Sequence, residues 1–270
     1  MWSIAMANQS RLLRAVISKQ HLHVHPLPSL SDARADIKAI LGAFELQRVR
    51  RYMNQVHWEK ESQEALFADR AEPGLKLENV AAHSWHVADA TMLIASHFSF
   101  LNIDQAIRLS IIHDKLEIIT GDFDPVGIDG RGTESHAFHK EKREKKIDAE
   151  LRALETYLAG LREPLRSSQK ELFLDAILGR TLESRFVKAI DKLQALAYVL
   201  IKKSGNLTDT HLAFSVKFSR TAIDYFPGIQ SHYIILFDLL MDSVAKFRNT
   251  SRERIESEVY GQLELDLHQL

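Results

Sequence analysis

The sequence predicts an all-α fold, and three observations carry that prediction. Apolar residues recur every three or four positions through most of the chain, no long stretch alternates apolar with polar, and the periodic runs are separated by capping residues and by Gly or Pro stops. With 270 residues, 45% of them hydrophobic, the chain has enough apolar surface for one large domain with additions. Basic and acidic residues nearly cancel to a formal net charge of -1, so bulk charge favours neither a nucleic-acid polymer nor an acidic membrane as a partner. Cysteine is absent, which removes disulfides, thiolate nucleophiles and thiolate metal sites, so any metal must be held by His, Asp and Glu. No apolar run reaches the roughly 18 residues of a membrane span. The run at residues 233–241 is interrupted by Asp238.

Residues 1–30 read as an N-terminal extension. Arg11, Arg14 and Lys19 are basic, no acid precedes Asp32, and Leu12, Leu13, Val16 and Ile17 suit an amphipathic helix. The expectation is a cytoplasmic protein with a basic helical extension; the alternative is a mitochondrial one with a transit peptide. His21, His23 and His25 alternate before Pro26 and read as an exposed extended segment rather than a ligand set.

The main domain is placed at residues 31–248. Ser31 can cap a helix through Ile37, Ile40, Leu41, Phe44 and Leu46 that ends in Arg48, Arg50 and Arg51. Residues 54–77 are polar, punctuated by Pro73-Gly74, and read as an insertion. Residues 78–86 lead into a long helix with Val87, Ala90, Thr91, Ile94 and Phe98 on one face. Asn102 and Asp104 open the next, expected to run through His113, Asp114 and Glu117 to a stop at Gly121. A turn-rich loop at 124–132 precedes the charge-dense run 140–152, whose alternating signs suit a solvated helix face. After Pro164 a helix is set by Leu172, Phe173, Ala176 and Ile177, followed by helices over 184–203, 210–225 and 231–247, with residues 249–270 as a tail or accessory helix.

Chemistry concentrates in residues 110–122, Ser-Ile-Ile-His-Asp-Lys-Leu-Glu-Ile-Ile-Thr-Gly-Asp. His113, Asp114, Glu117 and Asp122 would be costly to bury in so apolar a setting unless paired or bound to a cation. Glu117 stands four residues after His113 and three after Asp114, so it shares their face of a helix. His83 on the preceding helix and Asp191, an acid among the apolar positions of a later one, would complete two imidazoles and two carboxylates around one divalent ion. Such ligation suits Mn, Co, Fe, Ni or Zn. Taken singly, His83 has the alternative of a cap or a hydrogen-bonded core histidine, and Asp191 that of a partner to Lys188 or Lys192.

Three segments in order, Asn-Val-Ala-Ala-His-Ser-Trp at 79–85, Ile-Ile-His-Asp-Lys-Leu-Glu-Ile-Ile-Thr-Gly-Asp at 111–122 and Val-Lys-Ala-Ile-Asp-Lys-Leu at 187–193, resemble the HD-domain metal-dependent phosphohydrolases, within them the 5′-deoxynucleotidase branch. The likeness implies an HD-domain helical bundle that removes phosphate from (deoxy)nucleoside 5′-monophosphates with one divalent metal ion, commonly as a homodimer. By it, His83, His113, Asp114 and Asp191 match the metal ligands, Glu117 the residue that orients or activates water, and Asp122 a second carboxylate near the reacting phosphate. Arg51 matches a phosphate-binding arginine, Arg48 competes for that role, and Tyr52 stands where the family often has a Trp associated with sugar recognition. Two departures stand out: Ala82 replaces a Glu often found before the first histidine, and the spacing from Arg51 to His83 is longer than usual. The alternatives are hydrolysis of nucleoside triphosphates, left open by Arg48, Arg50, Arg131 and Lys192, and a non-catalytic metal-bound regulatory module.

Overall fold

The computed structural model describes residues 44–52, 57–58, 77–127, 129–133 and 135–267, all within the compact unit Gly42–Leu270. The expected extension at 1–30, the start of the first helix and nearly all of the 54–77 insertion lie outside them. Among the described residues all regular structure is helical, apart from one isolated antiparallel bridge between Arg50 and Asn79. The all-α expectation holds. None of these helices is long and apolar enough to cross a membrane.

In chain order a 3-10 turn at Phe44–Arg48 precedes α1 (Val80–Ala95), α2 (Ile103–Ile112), the four-residue α3 (Glu117–Thr120), α4 (Lys140–Ala159) and α5 (Leu165–Leu178). Then come α6 (Leu182–Lys203), α7 (Asp209–Tyr225), a 3-10 turn at Pro227–Ile229, α8 (Gln230–Arg248) and α9 (Arg252–Leu267). Capping explains the starts. The side chains of Asn79, Asn102, Thr181 and Thr208 each accept from a backbone N–H in the first turn of α1, α2, α6 and α7.

The α6 helix is the axis of the main core. Its Phe186, Ile190, Leu193 and Leu196 are buried among Val87 of α1, Leu109 of α2, Leu212 and Val216 of α7 and Leu240, Met241 and Val244 of α8. Gly205 lets the chain turn from α6 against α8. Its φ is +86°, and a Cβ there would sit 2.3 Å from the Ser243 carbonyl oxygen. The α4–α5 hairpin closes a second core of Leu154, Leu158, Phe173 and Ile177 on Ile112 and Leu116. Residues after Arg248 form a docked helix, because α9 drops Ile255 and Val259 into the main core. Full burial of a side chain the size of Ile255 is worth about 1.5–3 kcal/mol.

Two expected elements differ. Of the helix expected to reach Arg51, the described part is a single 3-10 turn, and Arg50 and Arg51 lie beyond it. The helix expected to carry His113 to Gly121 breaks after Ile112. The Ser110 carbonyl, which would receive the Asp114 N–H in an unbroken helix, accepts from the His113 ring instead at 2.7 Å. Residues 115, 117, 118 and 119 then close i to i−3 bonds, tightening the backbone into turns. Gly121 ends α3 at φ +73° with its N–H on the Glu117 carbonyl.

Candidate metal centre and substrate cavity

The break after α2 puts His113 and Asp114 on a turn that faces the buried end of α1 and the middle of α6. His83 Nε2 lies 3.2 Å from His113 Nε2, 3.1 Å from Asp191 Oδ1 and 3.4 Å from Asp114 Oδ2, and His113 Nε2 lies 3.2 Å from Asp114 Oδ2. Donor atoms of His83, His113 and Asp191 all lie within 4.8 Å of one another; Asp114 flanks the two rings beside that set.

Hydrogen bonding fixes which ring nitrogens face inward. Gln194 donates Nε2–H to Glu78 Oε1 at 2.8 Å, so its Oε1 accepts from His83 Nδ1–H at 2.8 Å. A carbonyl can only accept, so His113 Nδ1–H donates to Ser110. Both Nε2 atoms therefore face each other and two carboxylates, and against burial and the charge of Arg51 the bonds to Asp114 and Asp191 raise the His83 pKa. Around a cation these atoms make a mixed nitrogen and oxygen ligand set whose histidines are oriented by outer partners. The residues fit a divalent ion. The outer support that Ala82 leaves without a source reaches His83 from Gln194 and Glu78. Gln194 follows Asp191 by three positions and shares its helix face, the one sequence signal that could have found it.

Beside this cluster opens a cavity of about 780 Å³, counting its mouth, whose wall includes Arg51, Tyr52, Asp114, Glu117, Asp122 and Asp191. Two short backbone bonds bring Arg51 there: its N–H donates to the Glu78 carbonyl at 3.0 Å, and Val80 N–H to the Val49 carbonyl at 3.0 Å. The 54–77 insertion therefore begins and ends at paired backbone, which reconciles its length with an arginine beside the site. Arg51 Nη1 lies 3.6 Å from Glu78 Oε2 and Nη2 3.9 Å from Asp191 Oδ1, and Nη1 makes no hydrogen bond. Arg48, the competing candidate, is corrected: it pairs with Glu45 at 2.8 Å, its side chain 74% exposed, away from the cavity wall.

Burial, reinforced by the charges of Asp114 and Asp122, pushes Glu117 well above the usual carboxylate range. Burial also raises Asp122, to about 6, against the pull of Arg51. Glu117 Oε2 is buried without a hydrogen-bond partner. The wall also carries aromatic and apolar groups, with Trp58, Leu196, Val199, His211, Phe214 and Phe218. Trp58 was not among the sequence candidates, since it lies in the segment that reads as an insertion.

A family model described as HD domain matches residues 69–230, a span that holds His83, His113, Asp114, Glu117, Asp122 and Asp191. The chain belongs to the HD domain family. Its kinship is with the metal-dependent phosphohydrolases of that family, as the three segments suggested. A relative named 5′-deoxynucleotidase HDDC2 from Xenopus laevis is 31% identical over 153 residues, covering 55% of this chain and 69% of the relative. The mouse protein of that name is 32% identical over 153 residues, covering 55% and 70%. A solved structure described as a metal-dependent phosphohydrolase from Magnetospirillum magnetotacticum MS-1 superposes with a TM-score of 0.44 at 18% identity, covering 90% of this chain and 97% of that one, too loose a likeness to carry function. In this HD-domain protein the histidine of the first segment and the aspartate of the third meet the His-Asp pair of the second where α1 and α6 pack against the turn that follows α2.

Proposed function

We propose that this HD-domain protein removes phosphate from (deoxy)nucleoside 5′-monophosphates. The observation that carries the reading is the meeting, at one cavity, of nitrogen and oxygen donors suited to a divalent ion with two carboxylates and a buried guanidinium whose Nη1 makes no hydrogen bond. His83, His113, Asp114 and Asp191 would hold the ion. Bound there, a divalent ion would neutralise phosphate charge and make water a competent nucleophile near neutral pH.

Arg51, whose Nη1 makes no hydrogen bond, would grip the non-reacting phosphate oxygens. Glu117, whose Oε2 is likewise free, would accept the proton of the attacking water as the new O–P bond forms. Asp122, raised to about 6 by burial, would supply a proton to the leaving sugar oxygen as the P–O bond breaks. Tyr52, stacked on Tyr198 with centroids 5.1 Å apart, would pack against the sugar. The names of the relatives support a deoxynucleotide substrate.

Hydrolysis of triphosphates is a second reading with an observation in its favour. A neighbouring cavity shares Asp114, Asp191, Lys146 and Lys192 with the first and is lined also by His113, Arg143 and Lys188. One assay separates the two: the full chain, loaded in turn with Mn, Co and Zn, is given nucleoside mono- and triphosphates, and phosphate, pyrophosphate and triphosphate are measured. Release of phosphate from monophosphates is expected; no hydrolysis with any metal overturns the enzyme reading. A homodimer through the outer face of α8, where Ile234, Ile235, Leu239 and Phe247 are exposed, belongs to the same proposal and is tested by sedimentation.

A further inference from the structure

We infer that Trp58 is a specificity-determining residue: its indole N–H donates a hydrogen bond to an acceptor atom on the nucleobase of the substrate. The inference rests on the nucleotide reading above and extends it to a residue of the insertion, N-terminal to the segment the family model matches.

Trp58 is only 5% exposed, yet its Nε1 has no hydrogen-bond partner. A buried donor left unpaired costs about 1–3 kcal/mol, and the side chain that carries this one is part of the cavity wall, so an acceptor from the ligand would relieve that cost. The neighbouring polar groups are already engaged: Tyr198 OH accepts from Glu78 N–H, His57 Nε2 bonds the Gly130 carbonyl, and Lys203 Nζ donates to the His57 carbonyl.

The indole is held in place. Lys203 Nζ sits 4.6 Å from its ring centre, Tyr52 lies 5.0 Å away at 36°, and His211 meets it edge-on at 5.8 Å. Its place along the wall identifies which part of a nucleotide it meets. Arg51 at the phosphate end lies 5.4 Å from the Tyr52 ring, and Trp58 is that ring's further neighbour. The lining shared with Leu196, Val199 and Phe214 suits a flat, weakly polar ring rather than a charged group. Because an indole can only donate, the complement is a base carbonyl oxygen or an unprotonated ring nitrogen.

The test compares the full-length metal-loaded protein with Trp58→Phe on deoxynucleoside 5′-monophosphates and on deoxyribose 5-phosphate, which lacks the base. Loss of one hydrogen bond predicts a fall in kcat/KM of about 3- to 15-fold on the nucleotides, mainly through KM, with deoxyribose 5-phosphate unchanged. Quenching of tryptophan fluorescence by the nucleotide should also weaken in the variant. Equal loss on both substrates, or none on either, overturns the inference while leaving the phosphatase reading intact. If the wild-type protein neither binds nor cleaves any nucleotide, both fall. Should Trp58→Phe loosen the fold, benzothienylalanine at position 58 keeps the bicyclic shape and removes only the donor.

Discussion

The two ends of the cavity are built by opposite means. At the polar end the two histidines and the arginine backbone are aimed by named partners: Gln194 holds His83, Ser110 holds His113, Glu78 orients Gln194, and backbone pairing at Glu78 brings in Arg51. At the aromatic end Tyr52, Trp58, His211 and Phe214 are held by ring packing, and the polar tips of Tyr52 and Trp58 have no partners. Hydrogen-bonded aim suits chemistry, where about 1 Å of misplacement can slow a reaction 10²-fold. Packing suits recognition of an apolar ring, where contact area matters more than direction.

If that division is right, substitutions at the polar end strike turnover and metal affinity, and those at the aromatic end strike stability and selectivity. The largest effect is expected for Glu117→Gln, which keeps the volume but removes the proton acceptor. Its kcat should fall by about 10²- to 10⁴-fold with metal content unchanged, checked by steady-state assay and elemental analysis. A variant that retains full turnover would remove Glu117 from the mechanism.

Next comes Gln194→Leu, which leaves His83 Nδ1–H without its acceptor. Metal affinity, measured by chelator competition, should weaken by about 10- to 100-fold. An unchanged affinity would mean that His83 is not aimed by Gln194.

Gly132→Ala addresses the aromatic end through the backbone. Gly132 has φ +70°, and a Cβ would approach the Phe214 ring to 2.8 Å and the Phe138 ring to 3.0 Å. Denaturant unfolding should show a loss of about 1–3 kcal/mol from backbone strain and overpacking. Metal affinity should stay as it was; a joint loss would show that the two ends are mechanically one.

The smallest effect concerns acid. Burial, together with the neighbouring His57 and Lys203, pushes His211 down to about 2 from the ordinary 6.5. The unfolded chain therefore takes up the proton first. This contribution to stability is full above about pH 6.5 and declines as pH falls toward 2. His211→Gln should flatten the decline between pH 7.5 and 4.5 in melting curves. An identical pH slope would contradict the assigned environment.

The helices and the chemical residues were largely readable in the chain. Periodicity and caps locate α1, α2 and α5 to α8, because a helix that buries one face must repeat its apolar positions every three or four residues. The pair at 113–114 with Glu117 was visible because ionisable groups in an apolar run have few innocent explanations. The break after Ile112 was not: it depends on the His113 ring taking the Ser110 carbonyl, a competition between side chain and backbone that spacing does not display.

By itself, then, the sequence determined the helical class, the order of the segments carrying His83, the His113-Asp114 pair and Asp191, and the absence of thiolate chemistry. These are local properties of periodicity and residue type. Tertiary structure alone decided that Arg51 rather than Arg48 faces the cavity, that Gln194 and Glu78 aim His83, and that Trp58 enters from the insertion. Each of these joins residues far apart in the chain, from 27 positions for Arg51 and Glu78 to 153 for Trp58 and His211, whose meeting depends on how the helices pack.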